Sequence, residues 1–302
     1  MTDAQFHLFP DRCLIRVDGV DQTSFLQGLV SNNVETVTPE RAGYGAFLTP
    51  QGKFLHDFFM AVIEGGLVLD TEADRAGDFL KKLKIYKLRS KVQLSVVENW
   101  AVAAVFGQDA LAALGLPTER GTAKSFASGV AFVDPRLAEI GARVILPAEG
   151  AADRLTEAGL TKGTVEAYDL RRVGLGLPDG GRDMAVEKTV LLEAGFEELG
   201  GVDFKKGCYM GQELTARTKY RGLVKRRLMP VAIDGPMPAP GTEITLDGKE
   251  AGELRSVVGT DQHGEGLAMI RLNRLDEAFS SGLPLMAGEA TVIPRKPAWA
   301  KF

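Results

Sequence analysis

The feature that most narrows the fold of this chain is a change of rhythm near residue 225. Before it, strand-like and helix-like spacings interleave. Residues 14–17 read as a strand. Asp21 then precedes Phe25, Leu26, Leu29 and Val30 at the spacing of a capped helix that ends about Asn32 and Asn33. Residues 44–63 read as a hairpin turning through Thr49, Pro50, Gln51 and Gly52, and Thr71 is placed to cap a helix through Phe79, Leu80 and Leu83. Strands are expected at 92–97 and 101–106, and helices near 151–158 and 164–173. Such interleaving implies an α/β or α+β unit rather than a bundle. After Arg227 only short strands remain, at 228–233, 242–246, 254–258, 267–270 and 290–293, split by Gly, Pro and Asp-Gly turns. That is the pattern of a small antiparallel barrel or sandwich. We place the boundary near Lys225, giving a region 1–225 and a domain 226–302. A chain of 302 residues, 45% hydrophobic, can sustain two or three compact units.

Charge is distributed unevenly. Residues 205–227 carry eight basic side chains and one acid, Glu213, so this stretch is +7 while the formal total is −4, leaving −11 elsewhere. An acidic whole argues against a general nucleic-acid or anionic-membrane binder. No run approaches the roughly 18 apolar residues of a membrane span, and the beginning lacks a basic segment followed by an apolar one. A cytoplasmic protein is expected. Two cysteines, Cys13 and Cys208, exclude a disulfide framework, and no Cys/His cluster supplies a metal site. Neither a nucleophile elbow nor a dinucleotide-binding glycine pattern occurs.

Chemistry concentrates around Cys208. It lies between Gly207 and Tyr209, with Gly211 three residues on and a helix-like segment from Gln212. Lys206 and a helix N-terminus would favour a thiolate, whereas burial would make Cys208 a small hydrophobe. Spacing alone leaves these two readings level. Cys13, at the edge of an apolar run, reads as core. The basic run 217–227, with Tyr220 inside it, suits phosphates, RNA or carboxylates, or simply a solvated face. Asp57 and Glu193 stand in apolar surroundings. Each needs a structural ion pair or a ligand bearing adjacent N–H donors.

The string KKGCYMGQELTARTKYRGLVKRRL resembles the signature of the YgfZ-type folate-binding proteins, relatives of the glycine-cleavage T-protein that assist iron–sulfur cluster assembly or repair. FLQGLVSNNV, AFLTPQGKFLHDFF, LLEAG and GTEITLDGKEAGELRSVV are similar to other blocks of that family. The resemblance implies an α+β fold in a three-lobed, T-protein-like arrangement. Two ferredoxin-like lobes, the second at roughly residues 50–135, would surround a central folate pocket, with a C-terminal antiparallel β-barrel beside them. It further implies tetrahydrofolate as ligand, with Glu193 on the pterin and Asp57 near the folate nitrogens. Lys205, Lys206 and Arg217 would hold the glutamyl tail, and Tyr209, Gly211, Gln212 and Glu213 would complete the site. Cys208, assisted by Lys206, would be the reactive thiol. Expected partners are iron–sulfur assembly proteins or client enzymes, with tRNA modification supported indirectly and direct RNA binding set behind that. The alternative activity is folate-dependent aminomethyl transfer. His56 stands beside Asp57 where T-proteins carry a second aspartate, and Cys208 is not characteristic of them.

Overall fold

The computed structural model describes residues 3–301. The chain forms two compact units. One contains the residues up to Leu48, Leu55–Tyr168 and Leu199–Met210, and the other contains Thr49–Phe54, Asp169–Glu198 and the chain from Gly211 onward.

In chain order the elements begin with β1 (Gln5–Phe9), β2 (Arg12–Asp18), α1 (Gln22–Gln27), β3 (Gly43–Leu48), β4 (Phe54–Ile63), β5 (Gly66–Glu72) and α2 (Ala73–Lys87). Next come β6 (Gln93–Val97), β7 (Trp100–Phe106), α3 (Ala110–Ala113), β8 (Ala123–Phe126), β9 (Gly129–Val133), β10 (Ala142–Pro147), α4 (Ala151–Glu157), β11 (Thr161–Lys162) and α5 (Val165–Gly174). The strands form a five-stranded sheet ordered β3-β4-β5-β2-β6 and a six-stranded sheet ordered β11-β1-β7-β10-β9-β8. Alternation along β4 sets what each face does. His56 and Phe58 both stack on Phe79 of α2, beside a core of Leu26, Val30, Leu69 and Leu83. Asp57 and Phe59 take the opposite face.

On that face the two sheets meet through charges and rings. Asp70 of β5 is fully buried and accepts from Arg12 Nε at 2.6 Å and from Arg143 of β10. The Arg143 guanidinium lies 3.9 Å from the Phe59 ring centroid. Arg136 forks onto Asp134 and covers the rings of Tyr44 and Phe59. Buried charges persist only when paired in this way.

The second unit continues with α6 (Gly180–Asp183), α7 (Gln212–Tyr220), β12 (Arg226–Asp234), β13 (Glu243–Leu246), β14 (Lys249–Gly259), β15 (His263–Arg271), α8 (Leu272–Ser281), β16 (Leu285–Ala287) and β17 (Ala290–Pro294). These strands close a six-stranded antiparallel barrel in the order β12-β15-β14-β13-β16-β17, with β12 paired to both β15 and β17. Closure leaves no unpaired edge. Met229, Val231, Ile244, Leu254 and Ile270 fill it. Residues 169–198 are pinned to the barrel by buried Arg172, which donates to Asp169, Asp183, the Leu177 carbonyl and Ser256 of β14.

The expected α+β architecture and C-terminal barrel are borne out. Several local expectations are not. Helix α1 stops at Gln27 instead of near Asn32, because Val30 bridges to Phe47 and Ser31 and Asn32 make long-range hydrogen bonds. Neither anticipated cap operates: the Asp21 carboxylate accepts from the Lys91 amide, and Thr71 remains within β5. Cys13 is half-buried against the core rather than enclosed in it. Helix α8, inside the barrel sequence, was not anticipated.

Candidate functional site

Cys208 stands on a short bridge fixed at both ends to the C-terminal end of α1. On one side the Lys206 ammonium donates to the Gln27 and Val30 carbonyls at 2.5 and 2.6 Å, and Gln27 Nε2 donates to the Lys206 carbonyl. On the other, the Met210 amide donates to the Gly28 carbonyl, and the Met210 side chain packs on the core under α1. These carbonyls are orphans of the helix end, which makes them natural acceptors. Tyr209 is buried, with Lys206 Nζ 5.0 Å from its ring centroid. Gly207 has φ +93°, a conformation that favours glycine, and the exposed Cys208 follows it.

The bridge is seated further upstream. Asn32 Nδ2 donates to the Gly200 carbonyl, Ser31 Oγ to the Gly201 carbonyl, and the Asp203 amide to the Ser31 carbonyl. Gln27, Gly28, Ser31 and Asn32 therefore build the mount, although sequence reasoning treated them only as the end of a helix. The signal was present as a run of polar residues where an amphipathic helix should close.

Lys206 is accordingly occupied as a cap, and burial lowers its pKa to about 8. Its charge lies at the end of α1. Lys205 is exposed, and its amide donates to Asp203 Oδ1. Cys13 has a thiol pKa raised by burial and then by Asp70.

The rest of the motif belongs to the second unit. Gly211, at φ +79°, is the N-cap of α7, Gln212 and Glu213 form its first turn, and Arg217 is exposed farther along. Gly52, also at φ +79°, approaches this helix so closely that a Cβ would lie 2.6 Å from the Gly211 carbonyl oxygen. Glu193 sits in a 3-10 turn at Leu191–Ala194. Both its oxygens are engaged, with Arg226 Nε and Nη2 each at 3.1 Å and the Val190 amide at 3.2 Å. Arg227 pairs with Glu198, and Lys219 with Glu197. Three cations of the basic run are thus spent on acids of residues 193–198.

Asp57 belongs to the buried layer between the sheets of the first unit and accepts from Tyr44 Oη at 2.8 Å. Burial, then the Asp57 charge, holds the Tyr44 pKa well above its ordinary value, so the phenol stays a donor. His56 faces the other way. Its Nε2 lies 3.1 Å from Asp78 Oδ2, while buried Nδ1 has no hydrogen-bond partner among the described residues. Burial and the nearby Arg75 cation lower its pKa to about 4, so the ring is neutral at pH 7. The structure therefore joins Lys206, Cys208 and Tyr209 in one place, joins Gly211, Gln212, Glu213 and Arg217 along α7, and gives Glu193 and Asp57 separate settings.

Residues 225–302 match the family described as the CAF17 C-terminal beta-barrel domain. The glycine cleavage system aminomethyltransferase T of Bartonella henselae shares the fold, with a TM-score of 0.77 at 17% identity over 99% of this chain and 87% of that one. The iron–sulfur cluster assembly factor IBA57, mitochondrial, of Homo sapiens is 33% identical over 86% of this chain and 75% of its own length. The Mus musculus protein of that name is 33% identical over 93% of this chain and 80% of its length. The homologue of Neurospora crassa is 34% identical over 78% of this chain, which spans 55% of that relative's length. The relatives are named as mitochondrial, which overturns the cytoplasmic expectation; the lack of a long apolar run carries no information about compartment. The resemblance to YgfZ-type proteins holds at its coarser level, a T-protein fold with relatives named for iron–sulfur cluster assembly. With a third of positions identical over most of both the human protein and this one, the chain belongs to the IBA57 family of iron–sulfur cluster assembly factors.

Proposed function

We propose that this protein acts in iron–sulfur cluster assembly by lending the Cys208 thiolate as one ligand to a cluster whose other ligands belong to a partner protein. The observation that carries this reading is the contrast between the two cysteines. Cys208 is exposed on a bridge anchored at Lys206 and Met210, while Cys13 is half-buried with its thiol pKa raised. Among the described residues no group of three or more His, Cys, Asp or Glu could hold a metal ion. A cluster that takes four cysteine ligands is therefore cargo here rather than a resident group. The step is a ligand exchange: the thiol gives its proton to solvent, its sulfur binds iron, and a ligand of the partner leaves, with no change of oxidation state. Any support of tRNA modification would pass through cluster-containing modifying enzymes as clients.

Tetrahydrofolate, which the resemblance implies, is kept out of this step. Of the roughly four acceptor sites of the Glu193 carboxylate, Arg226 takes two and the Val190 amide a third, so a pterin N–H donor would share this carboxylate with Arg226.

The test is complementation of a strain lacking its own such factor, read as the activity of cluster-dependent enzymes and as cluster retention on mixing with a cluster-loaded assembly protein. Cys208→Ala and Cys208→Ser should both fail at unchanged melting temperature, and Cys13→Ala should succeed. Full rescue by Cys208→Ala would overturn the reading.

A further inference from the structure

Of the eight basic residues in the 205–227 stretch, four are committed: Lys206 to carbonyls, and Lys219, Arg226 and Arg227 to Glu197, Glu193 and Glu198. Within the second unit that leaves Arg217, Arg221 and Lys225, all exposed, with no carboxylate in ion-pair range among the described residues. Their placement is ordered. Thr215 and Thr218 bury one side of α7. Arg217, Tyr220 and Arg221 lie at i, i+3 and i+4, so they share the opposite face. Tyr220 is 73% exposed and Leu223, just past the helix, is 44% exposed. Lys225 follows within four residues, a span of at most about 14 Å of chain.

The face sets an exposed aromatic ring and a leucine among three uncompensated cations, a mixture of charge and apolar area rather than charge alone. We infer that this corner, residues 217–225, is a docking surface for an acidic protein surface that also presents an apolar side chain. Arginine and tyrosine are enriched among the residues that carry protein–protein contacts, and the exposed Leu223 adds apolar area beside them. Single-stranded nucleic acid fits less well. It needs several stacking rings along a continuous cationic track, whereas this face has one ring, ends in a leucine, and carries Glu213 one turn before Arg217. The remaining −11 of the chain also opposes a long polyanion while permitting a local acidic patch.

The probe is a synthetic capped helix of about three turns bearing glutamates on one face and leucines beside them, titrated by fluorescence anisotropy into the full chain at low and physiological salt. Binding should weaken with salt. Arg217→Ala/Arg221→Ala/Lys225→Ala should lose about tenfold, the sum of three screened surface pairs. Exchanging the peptide's leucines for serines should lose several-fold, as should Tyr220→Ala. Lys225→Ala alone, outside the helix, should lose two- to threefold and guards against misfolding of the triple variant, while Arg271→Ala should lose nothing. No binding at low salt, an unaffected triple variant, or indifference to the leucines would overturn the inference. Tighter binding of a single-stranded RNA of equal charge, lost in the same variants, would overturn it in favour of a nucleic-acid surface.

Discussion

Acidification should expose the cost of burying His56. The folded ring has a pKa of about 4, whereas a histidine in the unfolded chain titrates near 6.5. As pH falls below about 6.5 the unfolded chain takes up a proton that the folded chain refuses. The stability this group contributes is therefore present above that pH and lost as pH drops toward 4. Integrating the two titrations gives a loss of about 2 kcal/mol between pH 7 and 5, and about 3 kcal/mol by pH 4. The side chain is fully buried, stacked on Phe79 with a ring centroid distance of 4.7 Å, so solvent screening hardly reduces this. The assay is urea unfolding at a series of pH values, comparing the native chain with His56→Gln, which keeps a donor for Asp78 and cannot titrate. Carboxylates common to both cancel in the difference. The variant's stability should fall about 2 kcal/mol less between pH 7 and 5. Parallel profiles within about 0.5 kcal/mol would refute the reasoning, because they would mean that the ring protonates inside the fold.

Asp70→Asn leaves Arg12 and Arg143 buried without their shared countercharge and should cost about 3–5 kcal/mol in urea unfolding, while Asp18→Asn, at a half-exposed pair, should cost under about 1 kcal/mol. Lys206→Met removes two charge-assisted bonds to the end of α1; a loss of about 2 kcal/mol and faster amide exchange across residues 206–210 are expected, and unchanged exchange would show that the bridge is held by something else. Because Lys206 has a folded pKa near 8 against about 10.4 unfolded, wild-type stability from this group should rise with pH between those values, and Lys206→Met should abolish that slope.

What was legible in the sequence was periodic or chemical. Short apolar runs split by glycine and proline announced the barrel strands, whereas spacing around Cys208 left its exposure open and only the structure puts that thiol at the surface. What was not legible depended on distance along the chain. Nothing local to Ser31 and Asn32 reveals that they receive residues 200–203. Nothing in Arg226 and Arg227 reveals that acids some thirty residues earlier consume their charge, so the basic run appeared freer than it is. Helix α8 escaped because Leu272, Leu275 and Ala278 have helical spacing but no side-chain cap to announce a start. The end of α1 was misplaced for the opposite reason. Leu29 and Val30 continue the helical pattern, yet the bridge to Phe47 and the carbonyls offered to Lys206 and Met210 draw them out of it.

In the ligand exchange proposed for Cys208, the anchored bridge would bear on how quickly cargo changes hands. A thiol carried on a loose loop would have to be immobilised at each encounter, at about 1–2 kcal/mol for every residue ordered, and two such residues would already reduce occupancy by more than tenfold. Here Lys206 and Met210 have settled that cost during folding, so an arriving partner meets sulfur at a standing address. Turnover in that proposed exchange would be governed by the angle and frequency of approach, and a mutation that frees either anchor should slow exchange even with the cysteine untouched.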